Sequence, residues 1–443
     1  MKKWKLSRYT TVFKGNSGDA FLHNSFMGAV AQIPVTKFAE VERVINREIV
    51  EEDLKSESLR ELCTNGFFFP SHIEEQQFVT DVLDKENKNS VFDLILLPHE
   101  NCNFRCEYCY ETHKRGIMAP NIVEGLKRFV REKVKQSKGL RVSWFGGEPL
   151  LAKDVIYELS DSFMESCEAN GIPYSSHMTT NAYLLTPEVA DNLFKRKVDN
   201  FQITFDGPEI THDTTRKLAG GGGTFKTIFN NLIEIQKKDV DFYISLRVNF
   251  NDDSIAVMED FFKLMSDSFG NDPRFGLYFR PIGKYGGAND DNLRVCEPSY
   301  GRIAELELTE KYSEFGYLDK IIKRSLQPHG QVCYAGKESS IIIGADGTLY
   351  KCSVAFEDPK NHVGKLLEDG SLEIDESLWN LWVDNKDRIH SNCTSCTISP
   401  LCQGKYCPRD TIKDKKPVCP MTPLEYGHLV RLVAAGSSGG RIL

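Results

Sequence analysis

The sequence predicts an α/β fold, a partial (β/α)6 TIM-like barrel over residues 89–285, with one small module before it and another behind. Three observations predict it. Strand and helix signals alternate six times in the middle of the chain, which is the pattern of a parallel sheet with crossover helices. Short strands and three small helices crowd the first 88 residues. Ten of the 13 cysteines fall into two groups, around residues 102–109 and 333–419. The expected segments are 1–88, 89–285, a bridging stretch 286–330, a cysteine-rich module 331–430 and a mobile tail 431–443.

In the N-terminal module, RYTTVFK (8–14) and DAFLHN (19–24) read as strands joined by a turn at Ser17–Gly18, and AVAQIP (29–34) adds a third. Thr36 caps a helix with apolar positions Phe38, Val41, Val44 and Ile45. A second helix, about 56–63, stops at Asn65–Gly66. Phe67–Phe69 form a short strand before Pro70, and a charged helix spans roughly 73–86. Short strands with three small helices suggest a winged-helix-like module. Its helices mix both charge signs, so it lacks the basic recognition helix of a DNA reader.

The barrel strands are expected at 92–98, 141–145, 174–180, 200–205, 241–250 and 275–281. Helices are expected near 119–136, 154–169, 187–196, 225–238 and 254–267, with Pro120 and Pro187 suited to first turns. Behind the barrel, IIIGADGTLYKC reads as a hairpin turning at Ala345-Asp346-Gly347, which would bring Cys333 toward Cys352.

Composition narrows the function. Hydrophobic residues make up 40%, enough for a sizeable core without staples. A net charge of −8 and the absence of a basic block argue against nucleic acid as the main partner. No apolar run reaches the length of a membrane span, and MKKWKLSRYT has no apolar core of a secretion signal, so a cytoplasmic protein is expected. In a reducing compartment so many cysteines point to metal ligands rather than disulfides. Cys63, Cys167 and Cys296 stand apart, and Cys63 and Cys167 read as buried apolar positions.

The densest chemistry follows the first barrel strand. In NCNFRCEYCYE, Cys102, Cys106 and Cys109 have C-x3-C-x2-C spacing. Thiolates are soft ligands, and three at this reach can hold three irons of a [4Fe–4S] cluster and leave the fourth open. Buried thiols or a zinc knuckle fit the same residues. WFGGEPL puts Gly146, Gly147 and Glu148 after the second strand, where glycines admit close backbone approach and a carboxylate can pair with an ammonium. TTNAYLLT follows the third strand and ITFDGPEITHDTTR the fourth; Arg247 and Asn249 end the fifth. The run Gly220–Gly223 lacks the Lys-Ser/Thr of a P-loop and reads as a flexible loop. The second cysteine group reads C333-x13-G347-x4-C352, then C393-x2-C396-x5-C402-x4-C407, then Cys419. Its C-x2-C pair also fits a zinc ribbon.

Together these motifs resemble radical SAM enzymes with a SPASM extension, over about residues 90–420. The resemblance includes Tyr108, the aromatic residue before the third cysteine. It implies that Cys102, Cys106 and Cys109 hold a [4Fe–4S] cluster whose open iron binds S-adenosylmethionine (SAM). It implies that Gly146, Gly147 and Glu148 hold the methionyl amine and Arg216 the carboxylate, where a guanidinium fork suits. Asn181 matches a Thr-Asn-Gly motif in which Ala182 replaces glycine, and Thr204 stands where serine is common. Asp206, Gly207, His212 and Asp213 either join the site or only shape its loop; Arg247 and Asn249 are further SAM-pocket candidates. Two auxiliary [4Fe–4S] clusters are implied, one on Cys393, Cys396, Cys402 and Cys419, the other on Cys333, Cys352 and Cys407. Full ligation of all three clusters needs one more cysteine than the motifs supply, so the inner one has an open iron, or takes Cys296 or a substrate thiol. The run 403–406 is one residue longer than the family pattern.

The resemblance further implies a maturase of a ribosomally made precursor peptide, with the module 1–88 recognising the leader as an added edge strand. A ferredoxin- or flavodoxin-type one-electron reductant is the second expected partner. The expected product is an intrapeptide crosslink, most simply a cysteine thioether. The alternatives are a C–C crosslink, or sulfatase-type oxidation of Cys or Ser to formylglycine, whose enzymes carry an aspartate where this chain has Ser353. A non-enzymatic metal-binding regulator is the reading from another class.

Overall fold

The computed structural model describes residues 2–15, 18–88, 91–313, 320–384 and 391–436. The predicted turn residue Ser17 and the tail beyond 436 lie outside them. The chain divides into two compact units. One joins Met1–Lys88, Lys320–Gly336 and Asp384–Leu443; the other joins Asn89–Asp319 and Lys337–Val383.

The first unit holds two three-stranded antiparallel sheets. β1 (Lys3–Leu6) runs between β5 (Ile49–Val50) and β6 (Phe68–Pro70), while β2 (Thr10–Lys14), β3 (Ala20–Asn24) and β4 (Ala29–Ile33) form a meander. Helices α1 (Val35–Ile45), α2 (Glu57–Thr64) and α3 (Glu75–Lys88) follow the expected order. Val41, Val44, Leu59 and Leu62 close over Leu22, Ile33, Ile49 and Phe67 in one core. Ser56 caps α2 by accepting from Leu59 N, and Gly66, at φ +79°, turns the chain out of it. The later segments are tied in through His23. Its ring is fully buried, pairs with Tyr426 Oη of the helix Pro423–Gly436, and meets the Leu326 carbonyl at 2.9 Å. Burial lowers the imidazole to about 4, so it stays neutral there.

The second unit is built on a ten-stranded sheet. All six expected barrel strands are present as β7 (Phe92–His99), β9 (Leu140–Gly146), β10 (Tyr174–Thr180), β11 (Val198–Phe205), β13 (Tyr243–Phe250) and β14 (Phe275–Pro281), each parallel to its neighbours. Helices α4 (Pro120–Lys133), α5 (Lys153–Ala169), α6 (Pro187–Phe194), α8 (Phe225–Gln236) and α10 (Met258–Phe269) alternate with them, and Pro120 and Pro187 occupy first turns. A short α7 (Glu209–Thr215) precedes α8, and α9 (Asp252–Ile255) precedes α10. Two further strands, β8 (Phe104–Cys106) and β12 (Arg216–Leu218), pair antiparallel as a ribbon apart from the large sheet.

The expected hairpin forms from β15 (Ser340–Ile343) and β16 (Thr348–Tyr350), with Gly347 at φ +85°. It does more than turn. β15 adds to the barrel sheet parallel to β7, with Ile342 opposite Ile95, and β17 (Gly364–Leu366) and β18 (Leu372–Ile374) extend the sheet further.

Side chains alternate across these strands. Val142, Trp144, Leu246 and Val248 are fully buried on one face. The other face is polar. Ser143 lies opposite His177, and Thr204, Arg247 and Tyr278 share one row. Ordinary barrels fill that face with branched apolar residues. A polar lining suits a ligand instead.

Candidate active site

The cysteine loop leaves the carboxyl end of β7 and rests on backbone. A Cβ added to Gly146 would lie 2.6 Å from the His99 carbonyl oxygen; one added to Gly147 would lie 2.5 Å from that of Asn101. Gly146 also sits at φ +107°. Both glycines are therefore needed where the end of β9 passes the loop, and the close approach they permit is first of all to protein. The Glu148 N–H donates to the Asn101 carbonyl at 3.1 Å.

Residues between the cysteines hold the loop's shape. Asn101 Oδ1 accepts from the Cys102 N–H at 2.8 Å. Arg105 Nη1 donates to the carbonyls of Cys102 and Phe104, each at 2.7 Å. Asn181 Nδ2 donates to Asn103 Oδ1 at 2.7 Å and lies 3.7 Å from Cys102 Sγ. The ribbon sets Cys106 opposite Arg216, and the Cys109 N–H donates to the Cys106 carbonyl at 3.1 Å.

All three thiols are free and half-buried. Burial pushes Cys102 and Cys109 up to about 12, and Cys106 raises both. Such thiols stay protonated until a cation takes the proton's place. Among the described residues no His, Cys, Asp or Glu group of three or more is drawn to a point that would hold one metal ion. A four-iron cluster spreads its ligands over separate irons, so three neighbouring thiols suit it without such convergence.

One hydroxyl joins the loop to the strand ends. Tyr108 Oη donates to Asp206 Oδ1 at 2.9 Å and accepts from Arg216 Nη1 at 2.8 Å and Asn249 Nδ2 at 3.0 Å. Burial holds the phenol well above its ordinary range, so it remains a donor. Asp206 Oδ2 accepts from Thr215 Oγ1 at 2.7 Å. Arg216 is buried, and its Nε has no hydrogen-bond partner. A buried guanidinium nitrogen without an acceptor suits an incoming carboxylate.

Glu148 is fully buried and accepts from the Leu150 N–H at 2.9 Å, Thr180 Oγ1 at 2.8 Å and the Asn181 N–H at 2.8 Å. Burial raises its carboxyl to about 6, against those three donors. Ala182, also fully buried, adopts φ +59°, the left-handed conformation that glycine takes more easily. Thr204 shares a row with Arg247, whose Nε donates to Asn249 Oδ1 at 2.8 Å.

The structure separates the loop residues of the fourth strand by role. Asp213 Oδ1 accepts from the N–H groups of Thr224 and Phe225, which start α8, and His212 Nε2 pairs with Thr224 Oγ1 at 3.0 Å. These two shape the chain, whereas Asp206 reaches Tyr108. The run Gly220–Gly223 is a turn between β12 and α8, with Gly221 and Gly222 at positive φ.

The second cysteine group divides between the units. In the first unit, burial pushes Cys402 up to about 11, and Cys396, Cys393 and Cys419 lie near enough to add to the shift. Cys407 precedes the helix Pro408–Asp414 and is pushed up to about 11, and the Cys333 N–H donates to the Lys405 carbonyl at 2.9 Å. The longer run 403–406 turns through Gln403 at φ +48° and Gly404 at φ +69°. Cys352 belongs to the second unit, where its N–H and carbonyl are both bound by the Asn361 side chain. Cys296 is buried beside Asp252, which with burial pushes it up to about 12.

Sequence reasoning missed Asn103 and Arg105 as loop-shaping residues. Their signal was position alone, within the cysteine spacing.

Comparison with known proteins gives concordant findings. Residues 96–265 match the Radical SAM superfamily. The chain is 21% identical over 316 residues to the serine-type anaerobic sulfatase-maturating enzyme of Klebsiella pneumoniae, covering 68% of this chain and 78% of that one. It is 23% identical over 336 residues to the cysteine-type anaerobic sulfatase-maturating enzyme of Clostridium novyi (strain NT), covering 70% and 86%. The solved structure of native anSMEcpe with bound AdoMet and Cp18Cys peptide aligns at a TM-score of 0.60 and 19% identity, over 79% of this chain and 99% of that one. At that identity the likeness is one of fold.

Proposed function

We propose, from the match of residues 96–265 to the Radical SAM superfamily, an enzyme using SAM and a [4Fe–4S] cluster: a maturase that crosslinks a ribosomally made precursor peptide through a cysteine thioether. The observation that carries the proposal is the cysteine loop fastened by Tyr108 to Asp206, Arg216 and Asn249 at the mouth of a polar-lined barrel. When bound, the cluster and SAM supply the 5′-deoxyadenosyl radical that takes a hydrogen atom from the peptide.

The chain's own residues do the rest. Cys102, Cys106 and Cys109 hold the cluster, with Gly146 and Gly147 seating their loop. Glu148 pairs with the methionyl ammonium of SAM, and Arg216 with its carboxylate. Asn181 holds the loop at Asn103, and Thr204 and Arg247 line the pocket. Two auxiliary clusters sit on Cys393, Cys396, Cys402 and Cys419, and on Cys333, Cys352 and Cys407. With three cysteines from the motifs, the inner cluster would lack one protein ligand, which a peptide thiolate would supply; Cys296 is the alternative, and it lies buried beside Asp252. Residues 1–88 take the leader as an edge strand, and a ferredoxin or flavodoxin supplies electrons. Among the described residues no helix is long and apolar enough to cross a membrane; the proposed meeting place with the precursor is the cytoplasm.

Sulfatase-type maturation is the second reading, favoured by the two relatives named above. Ser353, at the position where that family carries an aspartate, weighs against it. The test is mass spectrometry of a precursor encoded nearby, after incubation with the full-length reconstituted enzyme, SAM and reductant. A product lighter by two hydrogens, with a cysteine closed to alkylation, supports the thioether. Formylglycine from an isolated Cys or Ser peptide, or a crosslink without sulfur, overturns it.

A further inference from the structure

His113 is held in a strained conformation beside a cluster ligand. It sits at φ +55°, in the left-handed region that a residue with a Cβ seldom adopts. Its Nδ1 is buried without a hydrogen bond. Its Nε2 lies 3.7 Å from Cys109 Sγ. The strained backbone thus holds the ring against the third cysteine of the loop, with the Glu100 carbonyl as a more weakly placed polar neighbour that forms no full hydrogen bond to Nδ1.

The direction of that contact follows from the chemistry. A thiolate on iron has no proton to give, so the bond runs from Nε2–H to the sulfur. Nδ1, which forms no full hydrogen bond, is then the nitrogen without hydrogen. Hydrogen bonds to ligand sulfurs, with net charge and solvent exposure, set the reduction potential of such clusters, because a donor stabilises the added electron.

We propose that His113 is a positioning residue that donates a hydrogen bond to Cys109 Sγ and raises the reduction potential of the cluster on Cys102, Cys106 and Cys109. The inference rests on the reading that this loop holds a [4Fe–4S] cluster. It assigns His113 the task of bringing that cluster within range of a mild one-electron donor.

The test is an EPR-monitored redox titration of the full-length reconstituted protein, with iron content measured on each sample. His113→Phe keeps a ring and removes the donor. His113→Gly removes the donor, relieves the positive φ and opens a space that free imidazole can enter. Both variants should keep their iron and titrate lower. The reduced-to-oxidised ratio at the wild-type midpoint should fall about tenfold, roughly 59 mV for one electron. Imidazole should restore His113→Gly toward the wild-type midpoint. An unchanged midpoint in either iron-loaded variant overturns the inference, as does a lowered His113→Gly midpoint that imidazole leaves unmoved. If replacing Cys102, Cys106 and Cys109 removes no iron, the cluster reading fails, and the role of His113 falls with it.

Discussion

Removing a single oxygen, by Tyr108→Phe, tests how the cysteine loop is anchored. The ring stays in place, so packing changes little. The oxygen is the partner of Asp206 Oδ1, Arg216 Nη1 and Asn249 Nδ2, and all three residues are buried. Each stranded polar group costs about 1–3 kcal/mol. Arg216 and Asp206 can then pair directly and recover part of this, which leaves about 2–4 kcal/mol. In urea unfolding of the full chain that is a midpoint shift of roughly 1 M for a slope near 3 kcal/mol/M. The same relaxation turns Arg216 toward Asp206 and away from a bound carboxylate. Affinity for SAM should therefore fall at least about tenfold, or 1.4 kcal/mol, read by equilibrium dialysis on the reconstituted protein. A loss under about 0.5 kcal/mol with unchanged SAM affinity would refute the hub as the anchor.

Other expectations follow from the same geometry. Gly147→Ala sets a Cβ 2.5 Å from the Asn101 oxygen, a backbone atom, so the loop must move; stability should drop by about 1–3 kcal/mol and iron loading at Cys102, Cys106 and Cys109 should fall with it. Glu148, raised from 4.5 to about 6, binds a proton more readily folded than unfolded. Its contribution to stability therefore declines as pH rises through that window and is flat above it. The proposed pairing of Glu148 with an ammonium runs the other way, because it requires the carboxylate. SAM affinity should be about fourfold lower at pH 5.5 than at 7.5, and Glu148→Gln should abolish the difference; a flat profile in the unaltered enzyme would rule out Glu148 as the ammonium partner. Arg216→Gln should weaken SAM binding but leave decarboxylated SAM unaffected, measured by the same dialysis; equal losses for both ligands would place the carboxylate elsewhere.

The barrel was readable because strand signals alternate regularly with helix signals, several with clear starts such as Pro120 and Pro187. What escaped depends on partners far along the chain. β1, with two lysines in four residues, pairs with β5 and β6 some 45 to 65 positions away. β8 and β12 are three residues each and meet across more than 100 positions. Nothing local says that Ser340–Ile343 will add beside β7. In the site, spacing exposed the cysteines and the Gly-Gly-Glu segment, since ligation and close approach need those residue types at fixed intervals. The Tyr108 hub was not readable, because Asp206, Arg216 and Asn249 come from separate elements that only the fold brings to one hydroxyl. Gly147 was readable as a close approach but not its target, the Asn101 backbone. Ala182 stood out as a departure from glycine, and the structure shows that the departure is real strain at φ +59°.

The central claim is that Cys102, Cys106 and Cys109 hold a four-iron cluster in addition to two others. The measurement that tests it most directly is the iron, sulfide and zinc content of full-length protein reconstituted without oxygen, with these cysteines intact and with all three replaced by alanine. About twelve irons per chain, falling to about eight in the triple variant, is the expected result. Zinc near two per chain with little iron, or an iron content unmoved by the triple replacement, would contradict it.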